Sequence, residues 1–153
     1  MYMNRFFCLL LAFSTFAAAA QTSKSDYNKV LADSLGADEY GMKIYQFVIL
    51  KTGTASIANK DSVSQIFKGH MENINKLVKE NHLIVAGPFG KNDKQYRGLF
   101  IFKAKDKDQA EKLLLTDPAI KTGLLTYEIF DWYGSAALPM YLHYSDKITK
   151  TDF

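Results

Sequence analysis

The chain has 153 residues, 48% of them hydrophobic, which is enough apolar material for one packed core. Its 19 Lys and Arg stand against 16 Asp and Glu, a net charge of +3. They are scattered through the sequence with no dense stripe to neutralise successive phosphates, which argues against a nucleic-acid partner.

In residues 1–20 one basic residue, Arg5, precedes an apolar run over 6–16 that closes in four alanines. This is the layout of a secretory signal peptide. The run falls short of the roughly 20 apolar residues of a membrane span and is broken by Ser14 and Thr15. Cleavage is expected after Ala20, giving an exported protein, periplasmic or secreted, with no membrane association once the leader is removed. Cys8, the one cysteine, lies too early in the run to accept a lipid at the cleavage site. The exported part therefore has no thiol, cannot use the disulfides common in small secreted domains, and must rely on its core.

Residues 21–42 read as a polar linker followed by a short helix over 26–35, with Asp26 as its cap and Gly36 as its stop. Over 43–51 the sequence KIYQFVILK is rich in β-branched and aromatic residues and predicts the first strand. Residues 61–81 carry Val63, Ile66, Phe67, Met71, Ile74, Leu77 and Val78 at the spacing of an amphipathic helix. A short strand over 83–86 is stopped by Gly87 and Pro88, and RGLFIFK over 97–103 follows as its antiparallel partner. A second helix is expected over 106–115, then a turn at Asp117 and Pro118, then a fourth strand over 124–133. The order strand, helix, strand, strand, helix, strand predicts an α+β, ferredoxin-like βαββαβ domain over 43–135. Residues 136–153, with Tyr141 and Tyr144, form an extension laid over the domain or over a partner.

The strands carry a further signal. An antiparallel sheet with helices on one face shows water a polar second face, yet Phe47 and Ile49 alternate with the equally apolar Val48 and Leu50, and Leu99 to Phe102 repeat the pattern. Two helices cover one face only. A homodimer packed sheet to sheet is therefore expected, unless the N-terminal helix and the C-terminal extension fill that face.

Among titratable residues, His70 falls four positions after Ile66 and four before Ile74, at the border of the apolar helix stripe. An imidazole directed toward the sheet needs partners for its nitrogens and suits general acid or base work, although a hydrogen-bonded core histidine is the plainer alternative. Asp117 before Pro118 reads first as a helix cap; if it reaches His70, it orients the ring. His82 and His143 read as hinge and surface residues. No pair has metal-ligand spacing, and no nucleotide loop or nucleophile elbow is present, so neither a metal nor a cofactor is expected. Gly87, Pro88 and Gly90 lack the following helix that a phosphate loop requires.

The segment FKGHMENINKLVKENHLIVAGPFG, followed by YRGLFIFKAKDKDQAEKLLLTDPAIKTGLLTYEIFDW, resembles the YCII-related family. The features that carry the resemblance are a histidine in the first long helix, the Ala86-Gly87-Pro88 turn, Gly98 opening the third strand and the Asp117-Pro118 step. The resemblance implies a dimeric α+β barrel of ferredoxin-like protomers, similar to small-molecule enzymes such as muconolactone isomerases and dehydrochlorinases, with His70 and Asp117 matching the family's active-site pair. The expected function is a cofactor-independent proton transfer or elimination on a small polar organic molecule; Tyr45, Phe100 and Trp132 are able to line the cleft, but aromatic residues at alternating strand positions are more often core and are not counted as site residues. The rival is a dimeric, non-catalytic module that binds a small molecule or a protein.

Overall fold

A computed structural model describes residues 26–151, so the signal peptide and the linker expected before Asp26 lie outside the described residues. No helix within that span is long and apolar enough to cross a membrane. The first helix, α1 (Lys29–Leu35), is capped by Asn28, whose side chain accepts from the Leu31 N–H. The expected cap, Asp26, lies too far upstream, because a capping oxygen must reach the second or third helical N–H. No residue of α1 is buried, and it is tied to the body through Lys43, whose ammonium donates to the Leu35 carbonyl.

Strand β1 (Met42–Thr52) leads to the long helix α2 (Lys60–Lys79), capped by Asn59. Then come β2 (Leu83–Pro88), β3 (Tyr96–Phe102), α3 (Lys107–Leu114), the single turn α4 (Pro118–Lys121) and β4 (Leu125–Ser135). A 3-10 turn (Leu138–Tyr141) and α5 (Leu142–Ile148) are the last elements among the described residues. The four strands form one antiparallel sheet in the order β2-β3-β1-β4. The fold is α+β and ferredoxin-like, with both long helices on one side of the sheet.

Strand β2 runs through Gly87 and Pro88 instead of stopping before them. It is an edge strand, and a proline at its end costs no ladder bond. Gly98 opposite Pro88 permits the close pairing, since a Cβ there would meet the Gly87 carbonyl oxygen at 2.8 Å.

The main core lies between sheet and helices. Val48, Leu50, Phe100 and Phe102 meet Leu77 of α2, and Ala110 and Leu114 of α3, all buried. Each fully buried leucine contributes about 1.5–3 kcal/mol. Strand alternation sends Tyr45, Phe47 and Leu99 to the opposite face, where Tyr45, Ile84 and Ile101 form a second buried cluster with Leu138 of the 3-10 turn. The Tyr45 hydroxyl donates to the Ser135 carbonyl at 2.9 Å, satisfying a buried polar group. The C-terminal segment covers only part of this face, because Phe130 and Trp132 of β4 stay exposed.

Two β-bulges interrupt the ladders. One lies between β1 and β3, where Leu50 pairs with Gly98 and Lys51 with Tyr96, leaving Arg97 as the extra residue. The other lies between β2 and β3 and leaves Ile84 between the paired Leu83 and Val85. The Ile84 carbonyl accepts a hydrogen bond from the Tyr141 hydroxyl. Burial pushes the Tyr141 phenol up from its ordinary value, so it stays protonated and keeps donating.

Candidate active site

The site begins with a close helix–helix approach. Gly69 of α2 faces the Pro118 ring at the start of α4; a Cβ on Gly69 would lie 2.9 Å from Pro118 Cγ. That proximity sets Asp117, the residue before Pro118, beside His70, the residue after Gly69. His70 Nδ1 and Asp117 Oδ2 are 2.6 Å apart, a hydrogen bond at the short end of N–H···O distances.

Asp117 does two things at once. Its Oδ1 accepts from the Ala119 N–H at 2.8 Å, capping α4, while Oδ2 holds the imidazole. Its side chain is 1% exposed and that of His70 is 12% exposed, so the carboxylate lies behind the ring and the ring lies nearer solvent. A carboxylate acceptor at Nδ1 favours, in the neutral ring, the tautomer with the proton on Nδ1 and the lone pair on Nε2. Two aromatic side chains fix the ring plane: Phe67 meets it edge-on and Phe100 lies nearly parallel, each with centroids 6.1 Å away.

His70 lines a cavity of about 530 Å³ between α2, the sheet and the C-terminal segment. That volume lies within the range of small-molecule sites. Most of the wall is apolar, from Leu50, Phe67, Ile74, Val78, Phe100 and Leu125. Polar groups come from Asn75 and Arg97, and from Tyr141, Ser145 and Thr149 of the C-terminal segment. Asp117 does not line the cavity; its contact with that space is through His70.

The structure brings His70 and Asp117 together and leaves the other histidines apart. His82 lies between α2 and β2, where its carbonyl accepts from the Lys103 N–H. His143 on α5 lies 3.1 Å from the Lys147 ammonium through Nε2. Among the described residues no cluster of three or more His, Cys, Asp or Glu has metal-site geometry. Of the three aromatic residues weighed for the cleft, only Phe100 lines it. Tyr45 and Trp132 pair with each other across β1 and β4, rings 5.8 Å apart, on the opposite sheet face. Their strand register fixes that side: Val48 lies opposite Phe100 and shares its face, whereas Tyr45 is three residues away along β1. Sequence pattern alone does not place Arg97 or the C-terminal hydroxyl residues at this cavity, because their positions depend on a bulge and on the path of the tail.

A family model described as the YCII-related domain matches residues 45–133. The chain belongs to the YCII-related family. The matched span contains His70, Asp117 and Arg97, whereas Tyr141, Ser145 and Thr149 of the cavity wall lie beyond it. Among solved structures, the YCII-related chain is similar to 5-chloro-2-hydroxyhydroquinone dehydrochlorinase (TftG) from Burkholderia phenoliruptrix AC1100 in complex with 2,5-dihydroxybenzoquinone. That match has 21% identity and a TM-score of 0.41, and covers 57% of this chain and 92% of that one. It is also similar to At3g17210 from Arabidopsis thaliana, with 13% identity, a TM-score of 0.33 and the same 57% and 92% coverage. No curated protein matches the chain.

Proposed function

We propose that this YCII-related protein is a cofactor-independent acid/base enzyme that catalyses a proton transfer or an elimination on a small organic molecule. The observation that carries the reading is the 2.6 Å His70–Asp117 contact at the wall of a largely apolar cavity. Asp117 holds Nδ1–H and stabilises the imidazolium when it forms; Nε2 takes a proton from a bound C–H or O–H and returns it to the product or leaving group. The apolar wall keeps bulk water from competing for that proton.

Nitrogen-15 NMR of the imidazole tests the arrangement without knowledge of the substrate. The expected neutral form is the Nδ1–H tautomer, with its population falling when Asp117 is replaced by Asn, because the Asn carboxamide has a weaker acceptor and adds competing donors. An Nε2–H tautomer that Asp117→Asn leaves unchanged would sink the dyad.

The second reading, a non-catalytic binding module, draws support from the C-terminal segment. Leu142, Ser145 and Thr149 help to form the cavity wall, so the tail itself shapes what the space holds. Under either reading the proposal includes a homodimer, supported by the apolar sheet face around Phe130 and Trp132, and export directed by residues 1–20.

A further inference from the structure

We infer that the cavity at His70 takes a small organic anion, an apolar body bearing one carboxylate, and that Arg97 determines this specificity. The inference deepens the proposed function and rests on the His70 cavity being the binding site.

Arg97 is the extra residue of the β1–β3 bulge. Regular alternation from Phe100 through Gly98 would send it to the opposite face of the sheet. A bulge breaks that alternation and re-aims a side chain, and Arg97 is found lining the same cavity as Phe100 and His70. It is exposed at the cavity edge. Among the described residues it forms no ion pair and its guanidinium has no hydrogen-bond partner, whereas six Lys–carboxylate ion pairs occur among those same residues.

The electrostatics of the cavity point the same way. None of the described lining residues is acidic, and Arg97 is permanently cationic. The nearby carboxylate of Asp117 is turned behind the imidazole and bound on both oxygens. A ligand with an anionic end therefore meets an unpaired, planar donor fork at the rim and apolar wall beyond it. A neutral ligand of the same shape meets only the wall. Because Arg97 and His70 line the same cavity, a molecule held at Arg97 and filling that space comes against the imidazole.

The test uses benzoate and its neutral counterpart benzamide as probes, followed through the backbone amides of Ala86, Gly87 and Gly98 by NMR titration. Wild-type protein is expected to bind benzoate about ten-fold more tightly than benzamide. Arg97→Gln should abolish the discrimination by weakening benzoate alone, and His70→Gln should retain it. Equal binding of the two probes, no binding of either, or discrimination that disappears with His70→Gln and survives Arg97→Gln would each overturn the inference. Because the readout is binding, discrimination at Arg97 stands even if the imidazole tautomer experiment removes the catalytic reading.

Discussion

Gly69 and Pro118 are in contact across α2 and α4 with no room for a side chain between them, since a Cβ on Gly69 would come within 2.9 Å of Pro118 Cγ. The two residues flank the dyad, one position before His70 and one after Asp117, so their approach sets the imidazole–carboxylate distance.

Gly69→Ala separates stability from geometry. Alanine in a helix interior gains about 0.5–1 kcal/mol over glycine, while forcing a methyl group against a proline ring costs about 1–3 kcal/mol. The expected net change is a loss of about 0–2.5 kcal/mol in urea denaturation. The Nδ1–H resonance of His70 should move upfield as Asp117 is pushed away. An unchanged imidazole spectrum would show that α4 can shift without disturbing the dyad, and that Gly69 does not position it.

Asp117 serves two partners from a nearly fully buried position. Asp117→Ala removes a helix cap, about 0.5–2 kcal/mol, and strands the Nδ1–H of His70, about 1–3 kcal/mol. A destabilisation of about 2–4 kcal/mol is expected. His70→Leu leaves a buried carboxylate oxygen without its partner and should cost a comparable amount. Because each single change strands the same contact, the double variant should lose less than the sum, with a coupling of about 1–3 kcal/mol. Additive losses would mean that the 2.6 Å contact contributes nothing.

A second carboxylate, Asp38, outside the cavity wall, gives a pH dependence to test. Asp38 accepts from the Tyr133 hydroxyl and from the Met42 and Tyr40 N–H groups. The Tyr133 hydrogen bond first, then that from Met42, lowers its pKa below the ordinary carboxylate value. The same bond, reinforced by burial, pushes the Tyr133 phenol up to about 12. The signs follow from which form each contact favours. The depressed Asp38 contributes stability above its unfolded value, lost as pH falls through the folded one. The raised Tyr133 contributes stability below its unfolded value near 10, lost as pH rises toward about 12. Asp38→Asn should therefore flatten both limbs of the melting temperature against pH, and Tyr133→Phe should do the same. If Asp38→Asn leaves the acid limb as steep as before, Asp38 is not responsible for it.

Much of this architecture was legible in the sequence, and the exceptions share a cause. The spacing of Ile66, His70 and Ile74 placed His70 beside the helix's apolar stripe, and the Asp117-Pro118 step marked a helix cap, because both are local patterns. That the two meet depends on how α2 packs against α4, which spacing alone leaves open; the resemblance to the YCII-related family supplied the pairing. Alternation along each strand was legible too, but the phase between strands was not. Composition alone therefore does not separate Tyr45 and Trp132 from Phe100, whereas register puts them on the other face. Arg97 was hidden for the complementary reason: a bulge is a property of two paired strands, and nothing in YRGLFIF marks it.

The open sheet face gives the last prediction, since Trp132 is the chain's one tryptophan and lies on that face. Its ring is laid back over Gly134, where a Cβ would come within 2.3 Å of it, and it packs against Tyr45. It remains 37% exposed and the neighbouring Phe130 45% exposed. A sheet-to-sheet homodimer would bury both at the centre of an interface, where large aromatic side chains concentrate binding energy. Tryptophan emission should shift to the blue as the protein is concentrated, in step with a doubling of the mass measured by light scattering. Phe130→Asp places a charge against apolar partners in the dimer and only in water in the monomer, so it should weaken association about 100-fold or more while leaving far-ultraviolet circular dichroism unchanged. A wild-type protein that stays monomeric, with emission independent of concentration, would rule out the sheet-to-sheet dimer and leave this face to the C-terminal segment or to a different partner.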